Sequence, residues 1–196
     1  MEKLMLSIAE IIDSYLKEKN QMIIAIDGRC ASGKTMLALQ LQKKQDCNVI
    51  HMDHFFLKPE QRTPERLQIP GENIDHERFI EEVMLPLKEG KNFSYRPYNC
   101  QNQQLSQPIE ISPKKITIVE GSYSCHKNLW KYYDIRIFLT VDPEEQLRRL
   151  EVREGAEKVE IFKSRWIPLE EQYITTYGLE QRCDYCFYFS QNIEIK

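Results

Sequence analysis

The chain has 196 residues, 41% hydrophobic and 29% charged, with a formal net charge of −3. That length fits one domain with a sizeable core, and the slight negative charge argues against a strong sequence-independent hold on nucleic acid. No apolar run approaches the roughly 18 residues that a membrane helix needs. The first twenty residues are no signal peptide either, because Glu2, Glu10, Asp13 and Glu18 interrupt their apolar positions. A cytosolic protein with no membrane partner is the expectation. The six cysteines are scattered along an ordinary chain and read as reduced thiols.

Leu4, Ile8, Ile11 and Tyr15 recur at helical spacing and predict an amphipathic helix over 3–18 packed on the domain. Residues 22–26 (MIIAI) form a continuous apolar run ending at Asp27-Gly28, as in a parallel strand buried on both faces. A glycine loop, the helical stretch TMLALQLQKKQ and a second strand near 48–52 follow, which makes a βαβ unit with a right-handed crossover. Residues 57–74 are rich in Pro, Gly and charge and read as a long functional loop. A helix is expected over 76–88, bent or ended by Pro86, and then a small β-arm over about 92–112. Buried strands are expected at 114–121 and 134–141. Pro143 opens a helix carrying EEQLRRLEVRE, and 156–176 are largely helical with an interruption near Pro168. CDYCFYF (183–189) reads as a last strand. The whole predicts one domain, 1–196: a three-layer α/β/α sandwich with a mainly parallel sheet, a β-arm and a helical lid over about 144–165.

The sharpest signal is Gly28-Arg29-Cys30-Ala31-Ser32-Gly33-Lys34-Thr35, a match to G-x-x-x-x-G-K-[ST] at every fixed position. Chance would give such a match in about one chain per hundred of this length, and the strand before it and helix after it lower that further. Gly28 and Gly33 let the backbone turn so that successive N–H groups, those of Ala31 and Ser32 included, face one anion. The helix start adds its positive end. Lys34 reaches the β- and γ-phosphates of ATP, and Thr35 offers a hydroxyl to Mg²⁺. Arg29 and Cys30 are bulky but occupy variable positions. Cys30 reads as a passive side chain or, near a helix N-terminus, as a redox-sensitive thiol.

Asp53 directly follows the second strand, where ligands sit in open α/β sheets. It is a candidate base for an acceptor hydroxyl, or a turn cap. Glu120 ends ITIVEG in the place of a Walker-B acid and would hold Mg²⁺ directly or through water. Arg149 and Arg153 are four apart on one helix face. They suit a lid over the phosphates or, equally, a solvated face paired with Glu145, Glu151 and Glu154. Cys183-x-x-Cys186 lacks a second pair and reads as seating its strand. The four histidines show no metal-ligand spacing. His54 tunes the site beside Asp53 or is a loop histidine.

In their order and spacing, GRCASGKT, MDHFF, ENIDHERF, FSYRPYNC, IVEGSYS and DIRIFLTVDPEEQLRRLEVRE resemble the uridine kinase-like branch of P-loop kinases, over roughly residues 20–189. The resemblance implies ATP with Mg²⁺, a small-molecule acceptor such as uridine or cytidine, and self-association. It makes Asp53 the catalytic base, Asp75 the acid for ribose hydroxyls, Phe56 and Tyr95 pocket aromatics, Glu120 the magnesium-associated acid, and Arg149 and Arg153 lid arginines. The chain departs from that pattern in three places. Asn99 or Cys100 stands where those kinases have a β-arm His, Ile74 precedes Asp75 in place of an aromatic, and REGAEKVEIF replaces their lid sequence. Another nucleoside, a sugar or a pantothenate-like metabolite therefore stays open as acceptor. An ATP-binding regulatory module and a GTPase-like switch are the readings from other classes; the latter lacks an N-K-x-D.

Overall fold

The computed structural model describes residues 2–189 and 193–195. The chain opens with helix α1 (Glu2–Leu16), which buries Ile8 and Ile12 completely and half-buries Ile11 and Tyr15. Each fully buried isoleucine contributes roughly 1.5–3 kcal/mol. Leu4, on the expected stripe, and Phe189, in the expected last strand, lie outside the residues whose side chains are described.

Strand β1 (Met22–Gly28) is buried at every position, as the continuous apolar run requires. Helix α2 (Lys34–Lys44) and strand β2 (Cys47–His51) complete the βαβ unit. Two short helical turns, Pro59–Gln61 and α3 (Pro64–Leu67), break up what the sequence suggests is one long loop.

Pro86 does not end the helical stretch after Asp75. Helix α4 (His76–Phe79) passes through a π turn, Ile80–Met84, into α5 (Leu85–Lys88). Proline has no N–H and its ring collides with the carbonyl four residues back. The wider π turn just before it absorbs both defects. Pro168 repeats the device. Helix α6 (Pro143–Glu154) and α7 (Ala156–Ile161) lead through a π turn, Phe162–Trp166, into α8 (Ile167–Tyr177), and α9 (Leu179–Arg182) follows.

The β-arm is two miniature hairpins. β3 (Phe93–Tyr95) pairs with β6 (Ile109–Ile111), and between them β4 (Tyr98–Asn99) pairs with β5 (Gln104–Leu105). β7 (Ile116–Glu120), β8 (Ile135–Val141), β9 (Tyr185–Phe189) and β10 (Ile193–Ile195) finish the main sheet. Its order is β10-β9-β8-β1-β7-β2, with β10 alone antiparallel among these strands.

Alternate residues of β1 serve opposite layers. Ile23 and Ala25 join a core with Phe79, Val119, Phe138 and Tyr173, whereas Met22, Ile24 and Ile26 pack with Ile8, Ile12, Leu37 and Leu41. This is the expected three-layer α/β/α arrangement. It brings the carboxyl ends of β1, β2 and β7 side by side, with Ile26 and His51 both in register with Glu120.

Candidate active site

The loop after β1 has no choice of residue at its first glycine. Gly28 has φ 138°, and a Cβ there would sit 1.9 Å from the Leu139 carbonyl oxygen on β8. Gly33, at φ 101°, has open space over its Cα. Between them Ala31 takes a left-handed φ of 59°, a conformation that costs an L-residue roughly 1–2 kcal/mol and persists only where the surroundings hold it.

Those surroundings are an ion-pair cage. Glu171 accepts both Arg29 Nε at 2.6 Å and Nη2 at 2.9 Å. Arg29 Nη1 donates to Thr140 Oγ1 at 2.6 Å and also to Glu180. Glu170, itself buried, accepts the Cys30 N–H at 2.7 Å and the Ser122 hydroxyl at 2.5 Å. Gln146 donates to the Cys30 carbonyl at 3.1 Å, and Arg149 Nη1 to the Ala31 carbonyl at 3.2 Å. Below the loop, buried Asp27 accepts from the backbone N–H groups of Gly28, Tyr123 and Cys125 and from the Tyr173 hydroxyl, at 2.7–3.2 Å. Burial outweighs those donors and raises its pKa to about 6. Cys30 is pushed up to about 12 by burial and by Glu170, so its thiol keeps its proton, as the passive reading requires.

Inside the cage the loop is fitted for an anion. The Lys34 ammonium lies in its mouth, 2.6 Å from the Gly28 carbonyl and 2.9 Å from that of Arg29. Ser32 is fully buried, and its hydroxyl finds no partner among the described residues. A spare donor beside a lysine and a helix start suits nucleotide phosphates.

Thr35 Oγ1 lies 3.1 and 3.0 Å from the two carboxylate oxygens of Glu120. This hard-oxygen pair, placed where β7 meets the loop, fits Mg²⁺. His51 grips the same acid, with Nδ1 2.5 Å from Glu120 Oε1. The hydrogen bond and the negative charge of Glu120 raise the pKa of His51 despite its partial burial. Sequence reasoning missed His51; its signal is its place as the last residue of β2.

Asp53 lies in the 3₁₀ turn Met52–Phe55, open to the cleft while Met52 and Phe55 are buried. Gly121 makes room for it, since a Cβ there would stand 3.4 Å from Asp53 Oδ1 and 3.0 Å from the Met52 Cβ. Crowding by the surrounding protein raises the Asp53 pKa, and Glu120 adds to the rise; Lys34, His51 and Arg153 pull the other way. A raised pKa makes a carboxylate a stronger base.

The arginines of α6 divide. Arg149 pairs with Glu145 at 2.8 Å and still reaches the Ala31 carbonyl. Arg153 bonds Glu154 at 2.9 Å on the exposed face of α6, and its charge is felt at Asp53. Arg148 pairs with Glu145 on the solvent side. All three arginines thus pair with acids of their own helix, as the solvated-face reading has it.

Asp75 is buried and caps α4: Oδ1 accepts the Arg78 N–H at 3.1 Å, and Oδ2 accepts Gln61 Nε2 at 2.8 Å. Phe56 is half-buried and bridges to Ile74. Tyr95, buried on β3, meets His54 Nδ1 through its hydroxyl at 3.1 Å.

The fold also gathers side chains that spacing kept apart. Glu72, His76 and His126 are buried together, with His76 Nε2 3.1 Å from Glu72. The two imidazoles stack at 4.5 Å with planes 17° apart, so their lone pairs do not converge on one ion. Arg66, 3.4 Å from Glu72, supplies the balancing positive charge. The cluster pins the 57–75 segment to the loop after β7. Cys183 faces Cys125 in the core, Sγ to Sγ 3.9 Å, and Cys186 packs against the same cluster, consistent with the seating role.

The fold is that of the P-loop kinases. No protein-family model matches the chain. It is 28% identical to a uridine kinase from Chlamydia pneumoniae over 168 residues, covering 78% of this chain and 76% of that enzyme. It is 26% identical to uridine-cytidine kinase B from Dictyostelium discoideum over 150 residues, covering 71% of this chain and 61% of that enzyme's length. A solved structure described as a possible uridine kinase from Bacillus stearothermophilus superposes with a TM-score of 0.68 at 20% identity, covering 94% of this chain and 98% of that one, and shows the shared fold. The chain is thus similar in sequence to uridine kinases and shares its fold with a possible uridine kinase.

Proposed function

We propose that the protein transfers the γ-phosphate of Mg·ATP to a hydroxyl of a nucleoside, uridine or cytidine in the first instance. The observation that carries this reading is the convergence of Asp53, the Thr35–Glu120 pair and Lys34 on the carboxyl ends of β1, β2 and β7. The pyrimidine nucleosides come from the names of the relatives.

In this mechanism the loop N–H groups, Ser32 and Lys34 hold the phosphates, and Thr35 and Glu120 hold the metal. Mg²⁺, when bound, supplies positive charge to the phosphate oxygens. Asp53 accepts the proton of the attacking hydroxyl. Arg149 and Arg153 sit on the lid, 144–165, that closes over the transferred group. Asp75, Phe56 and Tyr95 line the acceptor side under the β-arm, 92–112. Catalysis is then mostly positioning and electrostatics. Residues 1–196 act as one catalytic unit in this reading, in the cytosol. No helix among the described residues is long and apolar enough to cross a membrane. Self-association is part of the same reading and is tested by light scattering.

The test is an ADP-release assay with Mg·ATP against nucleosides, sugars and pantothenate-like alcohols, with Asp53→Ala as control. Strong Asp53-dependent turnover of uridine or cytidine supports the reading. Turnover of another acceptor alone keeps the chemistry and removes the pyrimidine. ATP binding without transfer to any acceptor removes the catalytic reading.

A further inference from the structure

Asp53 and His54 are successive residues of one turn whose other two members, Met52 and Phe55, are fully buried. The turn is clamped from behind. Phe55 accepts the Asp75 N–H at 2.7 Å, His54 accepts Arg78 Nη2 on its carbonyl at 2.8 Å, and the Arg78 guanidinium lies over the Phe55 ring at 4.2 Å. The half-buried imidazole of His54 therefore stands in a fixed place beside the candidate base.

Its ring is held as well. On one side it meets the edge of His51, centroids 5.2 Å apart; on the other its Nδ1 meets the Tyr95 hydroxyl at 3.1 Å. Nε2 has no protein partner among the described residues. We propose that His54 is a specificity-determining residue for the phosphate acceptor. Its Nε2 hydrogen-bonds the acceptor's polar edge, and the Tyr95 hydroxyl on Nδ1 sets whether that nitrogen donates or accepts. This rests on the nucleoside kinase reading and deepens it.

The chemistry is that of a reversible pair. A neutral imidazole carries one N–H, and a phenol can both donate and accept. When Tyr95 donates to Nδ1, the ring proton sits on Nε2, which then donates. When Tyr95 accepts from Nδ1–H, Nε2 accepts. Burial, together with the nearby His51 and Arg78 charges, lowers the His54 pKa to about 4, and burial raises that of Tyr95 to about 12. Both groups thus hold these forms at neutral pH. Such a pair can meet a carbonyl or an amino edge at the same place, the difference between uridine and cytidine. Tyr95 acts through His54 and is a positioning residue.

The experiment is steady-state kinetics on the full chain, varying acceptor and ATP separately, with uridine and cytidine as acceptors. His54→Ala is expected to raise the acceptor KM about tenfold or more for both, with the KM for ATP unchanged. His54→Gln, whose amide offers a donor and an acceptor, should recover part of the loss. Tyr95→Phe should raise the acceptor KM less, and the double variant should be no worse than His54→Ala alone. Melting temperatures identify any variant that has lost its fold, in which case His54→Gln against wild type decides. An unchanged acceptor KM in a folded His54 variant, an equal rise in the KM for ATP, or additive effects of the two substitutions overturns the proposal while leaving the kinase intact. A wild-type protein that phosphorylates no nucleoside overturns the function and this proposal with it.

Discussion

The two sides of the cleft are built by different rules. The proposed phosphate side is one contiguous loop, residues 28–35, whose shape is forced by backbone sterics and then braced by a cage of acids from α8 and α9. The proposed acceptor side has no such segment. It is assembled from Asp53 and His54 on a turn, Gln61 and Asp75 in a connecting segment, and Tyr95 on a three-residue strand. The first arrangement fixes one geometry for one ligand. The second leaves each contact to a separate piece of chain, so single substitutions there can change the acceptor without touching ATP.

Several substitutions would sharpen or break that contrast. The largest effect belongs to Asp53→Asn, expected to lower kcat by about 10²–10⁴-fold while ATP affinity, measured by titration calorimetry, stays near wild type. Gly28→Ala should act on folding: a methyl 1.9 Å from a strand carbonyl forces β1 and β8 apart. Overpacking of that kind costs about 1–3 kcal/mol or more, read as a lowered melting temperature with β1 protection lost in hydrogen exchange.

Asp27 gives a pH signature. Its folded pKa of about 6 lies above the ordinary 3.8, so the folded chain holds this proton more tightly than the unfolded chain. The advantage of the protonated form is complete below about pH 4 and is lost as pH rises through 6. Urea titrations should show the wild-type stability falling relative to Asp27→Asn across that window, by on the order of 2–3 kcal/mol. A flat difference would remove the burial argument for this group.

Smaller still is Glu171→Gln with Glu180→Gln. Loosening the Arg29 cage should weaken ATP binding severalfold, at about 1 kcal/mol, and leave the acceptor KM alone. Asp75→Ala is the mirror case: losing the α4 cap costs roughly 1 kcal/mol of stability, and the acceptor KM should rise while ATP binding holds. If either pair of effects crosses the cleft, the two sides are coupled and the contrast fails.

The same contrast explains what the sequence disclosed. The glycine loop was legible because its geometry dictates residue types at fixed spacing. β1, β7 and β8 were legible because burial on both faces demands continuous apolar runs. Arg29 was not, since it reads locally as a bulky residue at a free position, while its partners Glu171 and Glu180 arrive from the far end of the chain. His51 was hidden in the same way, its role coming from the register that sets it beside Glu120. Asp75, Phe56 and Tyr95 followed from resemblance alone, because short pieces without periodicity carry little physical signal. That helix continues through Pro86 was not legible, because proline reads as a helix end unless a π turn precedes it.

The place of β1 in the sheet also sets an order of events during synthesis. Its neighbours are β7 and β8, not β2, so Met22 must wait for Ile116, about 90 residues later in the chain. At roughly 5–20 residues per second, a ribosome takes about 5–20 seconds to deliver that partner. For that interval the nascent chain carries a largely apolar strand with both edges unpaired. The glycine loop proposed to hold the nucleotide hangs from this strand, so it is among the first pieces translated and among the last to take shape.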